Sequence, residues 1–222
     1  MKNLKDIYFN ELTLKCDKWI PYFKVYEQHL SKFVGKAPVI VEVGVQGGGS
    51  LQMWRKYFGP DAQLFGIDVD TSVLKHLDHY DQNTTLYIGD QADPVFWDEF
   101  LKQVPHIDIL IDDGGHFTNQ QIMTFNKVFP HITVGGVFIC EDTHTSYFDW
   151  IRNNLNGSDT FIDHSKQISD IVNYGHLPRE NEKNKELEKI CDGLYSTSFY
   201  NSMVVFHKEE LEVFERIVVN EK

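Results

Sequence analysis

The sequence predicts an α/β fold: a doubly wound, mostly parallel seven-stranded sheet with an N-terminal helical segment before it and a C-terminal antiparallel hairpin closing it. Three observations point there. Short, continuous apolar runs alternate with stretches of helical periodicity through the middle of the chain. Those runs have the length and continuity of strands buried on both faces. Near the C-terminus, two further strand-like runs are separated by only two residues.

The elements follow in order. "MKNLKDIYFNELTLK" mixes charges into every turn, and "DKWIPYFKVYEQHL" sets aromatic residues at helical spacing. Residues 1–36 are read as a helical segment preceding one globular domain over 37–222. "PVIVEVGV" (38–45) is the first strand, and "SLQMWRKYF" (50–58) the helix after it. "QLFGIDV" (63–69), "TTLYIG" (84–89), "IDILID" (107–112) and "GVFICED" (136–142) are the next strands. Helical patterns at 71–77, 93–104 and 119–132 lie between them. Strand, helix, strand, repeated, implies right-handed crossovers and a Rossmann-like sheet covered on both faces. "RENEKNKELEKI" (179–190) is charge-rich and reads as a solvated helix or flap. "LYSTSFY" and "MVVFHK", separated by Asn201 and Ser202, form the antiparallel hairpin.

Composition narrows the function classes. A net charge of -12 leaves no basic stripe for a phosphate backbone, so nucleic acid is not an expected partner. There is no apolar leader region and no run approaching the ~18 apolar residues of a membrane span, so a cytoplasmic protein is expected. Cys16, Cys140 and Cys191 are widely spaced, with no CxxC pair, which indicates neither a disulfide framework nor a zinc-thiolate site.

In an open parallel sheet, ligands bind beyond the C-terminal strand ends. That rule collects Glu42, Gly44, Asp68, Asp90, Asp112, Asp113, Glu141 and Asp142 around one crevice, where so many carboxylates require something neutral or cationic among them. In "VEVGVQGGGS", Gly44, Gly47, Gly48 and Gly49 precede a helix that starts near Ser50. Such a loop lets the backbone approach a ligand, although a tight turn alone would also account for it. Asp68 at the next strand end can accept both hydroxyls of a ribose. A dinucleotide stays open on these residues, but Glu42 disfavours a pyrophosphate more than a cofactor carrying an amino group and a sulfonium.

"VEVGVQGGGSLQMW", "GIDVD", "GDQAD", "IDDGGH" and "ICEDTHTSY", in this order, resemble the class I S-adenosylmethionine-dependent methyltransferases. The likeness is to the metal-dependent macrolide and sugar O-methyltransferases and their cephalosporin-hydroxylase-like relatives. It runs from about Asp17 to about Tyr147 and returns weakly in "FYNSMVVFHK". It implies that Glu42, Gly44, Gly47, Gly49 and Ser50 hold the methionine end of S-adenosylmethionine, that Asp68 holds the ribose, and that Asp90 and Gln91 lie near the adenine. It also implies that Asp113, Glu141 and Asp142 bind Mg²⁺ and that His116 is the base. Three carboxylates form a hard, all-oxygen site suited to Mg²⁺, while strand alternation turns Cys140 away from Glu141.

Metal coordination would acidify a sugar hydroxyl, and a histidine three residues beyond Asp113 could then take its proton. His144 is the competing base or acceptor contact. Asp112, counted with the cofactor-binding strand ends, has a structural task on alternation, such as holding a neighbouring loop. Tyr22 and Tyr26 lie on a segment read first as core, and second as a cover over the cofactor. The region before the first strand is shorter than in the macrolide enzymes, so the expected acceptor is a nucleotide-activated or surface-polysaccharide sugar. Residues 156–192 match nothing in the family and are expected to set acceptor specificity. By resemblance, a dimer or tetramer is expected. A cephalosporin-hydroxylase-like or NAD-dependent oxidoreductase and a non-catalytic cofactor-binding subunit are the alternatives.

Overall fold

The structure, a computed structural model, describes residues 3–155, 159–173, 185–212 and 215–219. Two helices, α1 (Leu4–Asn10) and α2 (Tyr22–Leu30), precede the sheet. Strands β1 (Val39–Val43), β2 (Gln63–Asp68), β3 (Thr84–Ile88), β4 (Ile107–Asp112) and β5 (Ile132–Cys140) then alternate with helical segments. The segments are α3 (Gly49–Phe58), a 3-10 stretch at Thr71–His79, α4 (Pro94–Phe100) and α5 (Thr118–Val128). Helices α6 (Asp149–Asn154), α7 (Phe161–Ile171) and α8 (Lys185–Ile190) lead to β6 (Leu194–Tyr200) and β7 (Met203–Lys208). The seven strands lie in the order β3-β2-β1-β4-β5-β7-β6, with β7 antiparallel to both its neighbours.

Alternation along the strands builds two cores. Ile40, Leu64, Ile109, Ile111, Ile139 and Val205 face α1, α2 and α3, where Tyr26, Trp54 and Phe58 are buried. Val39, Val41, Leu110, Phe138 and Phe206 face the other way, onto Trp97 of α4, Phe125 of α5 and Phe161 of α7. Cys140 belongs to this second face, and all three cysteines are free.

The expected element boundaries shift at identifiable places. β5 starts at Ile132 rather than 136, because a register shift between Ile107 and Ile109 of β4 absorbs an irregularity at Gly135 and Gly136, with Gly135 at φ +85°. α5 accordingly stops at Val128, and Phe129–His131 forms a 3-10 turn containing Pro130. The stretch at Thr71–His79 is 3-10, capped by Asp70, whose carboxylate accepts from the Ser72 amide at 2.8 Å. β5 ends at Cys140, so Glu141 and Asp142 lie just past the strand. Of the charge-rich stretch, 185–190 is helix α8 with no buried residue, and 179–184 fall outside the described residues. Among the described residues, no helix is long and apolar enough to cross a membrane.

Candidate active site

A cavity of about 460 Å³ opens beyond the C-terminal ends of the parallel strands. Its walls include Gly44, Asp68, Asp90, Gln91, Asp113 and His116. The turn after β1 passes so close to the loop after β4 that a Cβ on Gly44 (φ +89°) would stand 2.0 Å from the Asp113 carbonyl oxygen. Only glycine fits there. Asp68 is held at the rim by the amides of Gln46 and Asp70, each donating to one carboxylate oxygen at 2.9 Å. Each oxygen retains a lone pair for a ligand hydroxyl. Gln91 ties the loops together: its Nε2 donates to Asp112 Oδ1 at 3.0 Å, and its Oε1 accepts from the Gly115 amide at 2.9 Å. Asp112 is thus a buried brace beneath the loop, and burial pushes its carboxyl up to about 6.

The acid cluster follows from the strand register. Ile40, Ile111 and Ile139 point toward α2, so Glu42, Asp113 and Glu141, each two residues further on, continue that face. The segment entering α2 lies over them and lowers Lys18 into their midst. Its Nζ stands 2.6 Å from Asp113 Oδ2, 3.1 Å from Glu141 Oε2 and 3.6 Å from Glu42 Oε1, with a side chain only 1% exposed. Burial alone would depress this ammonium, but Asp113 and Glu141 outweigh it and hold Lys18 well above the usual lysine range. From α2 itself, the Tyr26 hydroxyl reaches Glu141 Oε1 and the Tyr22 hydroxyl reaches Asp142 Oδ1, both at 2.5 Å. Ser50 donates to Glu42 Oε2 at 2.7 Å.

The outer side of the cluster has a different chemistry. His116 Nε2 lies 3.5 Å from Asp142 Oδ2 and 3.9 Å from Asp113 Oδ1. His116 and Asp142 both hold left-handed backbone conformations, φ 59° and 52°, uncommon outside glycine though better tolerated by His and Asp than by most side chains. The Thr145 hydroxyl sits 3.0 Å from the carbonyl oxygens of both, tying their loops together. One ligand atom each from Asp113, His116 and Asp142 falls within 4.8 Å of the others, a spacing that a single ion could bridge. The two carboxylates, with room for water in the cavity, fit a hard divalent cation, and the softer imidazole nitrogen beside them is left for another task. His144 turns aside to the Ser202 hydroxyl and lines a neighbouring cavity with Tyr147, Phe199 and Lys166.

The expected residues therefore divide. Gly44, Asp68, Asp90, Gln91, Asp113, His116, Glu141 and Asp142 line the cleft. Glu42, Ser50 and Asp112 stand behind it as buried braces. Gly47 and Gly49 lie where the Leu14–Lys15 segment crosses the glycine loop through a Lys15–Gly48 bridge: a Cβ on either would stand 2.6 Å from a backbone oxygen of that segment. Glu141, expected beside the other two acids as a metal ligand, is turned to Lys18 and Tyr26. Lys18 was legible only as a need for some cation among these acids. Nothing in the sequence singled it out from the other 20 of the 21 Lys and Arg residues.

Comparison with known proteins gives this geometry a lineage. Residues 41–143 match the family described as "Methyltransferase domain". Over 172 residues, 73% of this chain, it is 31% identical to the 8-demethyl-8-alpha-L-rhamnosyl tetracenomycin-C 2'-O-methyltransferase of Streptomyces olivaceus. The chain belongs to the class I S-adenosylmethionine-dependent methyltransferases. A second relative of this methyltransferase, the mycinamicin VI 2''-O-methyltransferase of Micromonospora griseorubida, is 31% identical over 70% of the chain. The chain spans 44% and 40% of the lengths of these two relatives. Its fold matches the solved MycE methyltransferase of the mycinamycin biosynthetic pathway, in complex with Mg and SAH, with a TM-score of 0.77 and 24% identity. That match covers 93% of this chain and 53% of MycE.

Proposed function

We propose that this methyltransferase moves the methyl group of S-adenosylmethionine to a sugar hydroxyl, with a divalent cation at Asp113 and Asp142 and His116 as the base. The observation that carries the proposal is the placement of His116 Nε2 beside both carboxylates in the same cavity that Gly44 and Asp68 line. S-adenosylmethionine would supply the electrophilic methyl, and Asp113 and Asp142 would hold a Mg²⁺ that lowers the pKa of the acceptor hydroxyl. The chain's own residues do the rest. The Asp68 carboxylate, already fixed by two amides, accepts from the ribose hydroxyls. Gly44 lets the cofactor approach the backbone, with Asp90 and Gln91 beyond. His116 takes the acceptor proton at Nε2, imidazole being the side chain most often used for such transfers.

The sugar acceptor is supported by the relatives, whose names place their methyl groups on the 2'-oxygen of a rhamnosyl tetracenomycin and the 2''-oxygen of mycinamicin VI. For this chain, a nucleotide-activated or surface-polysaccharide sugar is the acceptor class to test first. The test is transfer from methyl-labelled S-adenosylmethionine to a panel of nucleotide sugars, rhamnosides and polysaccharide fragments, with Mg²⁺ or with EDTA. Labelled sugar formed only with the metal is the expected result. Transfer that is indifferent to EDTA removes the cation, and binding of NAD(H) in preference to S-adenosylmethionine returns the cleft to the oxidoreductase reading.

A further inference from the structure

The two oxygens of Asp113 face different partners: Oδ2 meets the Lys18 ammonium at 2.6 Å, and Oδ1 is the oxygen nearest His116, at 3.9 Å. Lys18 is also within ion-pair distance of Glu141 and Glu42, and none of these three groups is more than 1% exposed in its side chain. Glu42 Oε1 has no hydrogen-bond partner and is aimed at that ammonium across 3.6 Å. Asp142, by contrast, makes no contact with Lys18; its partners are Tyr22, His116 and His144. The acids thus fall into an inner group that already holds a cation and an outer group that holds none.

We infer that the cluster has two cation positions, the inner one filled by the chain's own Lys18 and the outer one, at Asp113 and Asp142, left for a single divalent ion. Lys18 is then a positioning residue of the metal site. It presents one oxygen of Asp113 outward, keeps Glu141 and Glu42 turned inward, and holds the stoichiometry at one. A second metal at the inner acids would have to displace a buried ammonium that three carboxylates stabilise. Tyr26 closes the same position from the other side by donating to Glu141 Oε1. The inference rests on the divalent-cation reading above.

The experiment counts Mn²⁺ bound by electron paramagnetic resonance, in wild type and in Lys18→Met, which keeps the length of the side chain and removes its charge. Wild type is expected to bind one equivalent. Lys18→Met is expected to bind a second, or to bind its first at least about tenfold tighter, because the repulsion between a nearby ammonium and the metal is gone. One equivalent of unchanged affinity in both overturns the role of Lys18 and leaves the divalent-cation reading standing. Binding in neither removes that reading and this inference with it, and two equivalents in wild type overturn the inner position. A single equivalent taken up only by the variant keeps Lys18 as the inner cation and removes the outer site. Amine acylation of the wild-type protein, read by mass spectrometry, needs no folded variant. Lys18 should stay protected relative to exposed lysines both with and without Mn²⁺, and labelling that rises on adding metal would show displacement of Lys18 and overturn the two-position arrangement.

Discussion

His116 combines a left-handed backbone, a place on the cleft wall and two carboxylates near one ring nitrogen. Because glutamine keeps a polar head of similar reach but cannot take a proton, His116→Gln should lower turnover by at least roughly 10²-fold, within the range of general-base losses. Mn²⁺ binding should stay nearly intact. Unchanged turnover would move the base role to His144. At this scale the strand-end acids were legible, because a carboxylate after an apolar run has few structural reasons to be there. Their division of labour was not legible. Glu42 and Asp113 are both acids at neighbouring strand ends, yet one is wholly buried behind Ser50 and the other faces the cavity.

Helix α2 is the element that turns a sheet edge into a site. Its buried face packs Tyr22, Phe23 and Tyr26 against the sheet, and the hydroxyls of the two tyrosines end on Asp142 and Glu141. Its last turn is tied to β6 and β7: Gln28 donates to the Tyr200 hydroxyl, that hydroxyl lies 2.7 Å from His29 Nε2, and His29 Nδ1 lies 2.6 Å from His207 Nε2. The two imidazoles cannot both be charged there, because the facing nitrogens would then both carry protons. Burial lowers His29, and burial together with His29 and Lys32 holds His207 at about 4. Unfolded, both would titrate near ~6.5, so between those values the unfolded chain binds more protons. The stabilisation is therefore complete above ~6.5 and lost as pH falls toward about 4. Wild type should lose more melting temperature between pH 7 and pH 5 than His207→Gln does, as read by calorimetry; parallel losses would count against this pairing. Helical spacing of the aromatics announced this helix, but not that its tyrosines would be core and site at once.

The whole molecule is a sheet between two apolar layers, and its second layer is centred on Phe125. That ring stacks on Phe129 at 4.9 Å between centroids and meets Phe206 at 4.7 Å and Phe138 at 5.2 Å. Phe125→Ala should cost roughly 3–5 kcal/mol in urea unfolding, through lost burial and the cavity left behind. A loss under about 1 kcal/mol would mean that this layer collapses around the gap. The sequence by itself determined the α/β class, the run of strands and crossovers, the terminal hairpin and the acids at the strand ends. It could do so because apolar periodicity and turn residues are local, and because a parallel sheet gathers its strand ends at one edge whatever the details. The tertiary structure alone decided that β7 inserts between β5 and β6, that the glycine loop makes room for the Leu14–Lys15 segment, and that Lys18 is the cation among the acids. Those outcomes depend on contacts between residues as far as 123 positions apart, as Lys18 and Glu141 are, where packing and charge balance choose a partner that no local pattern specifies.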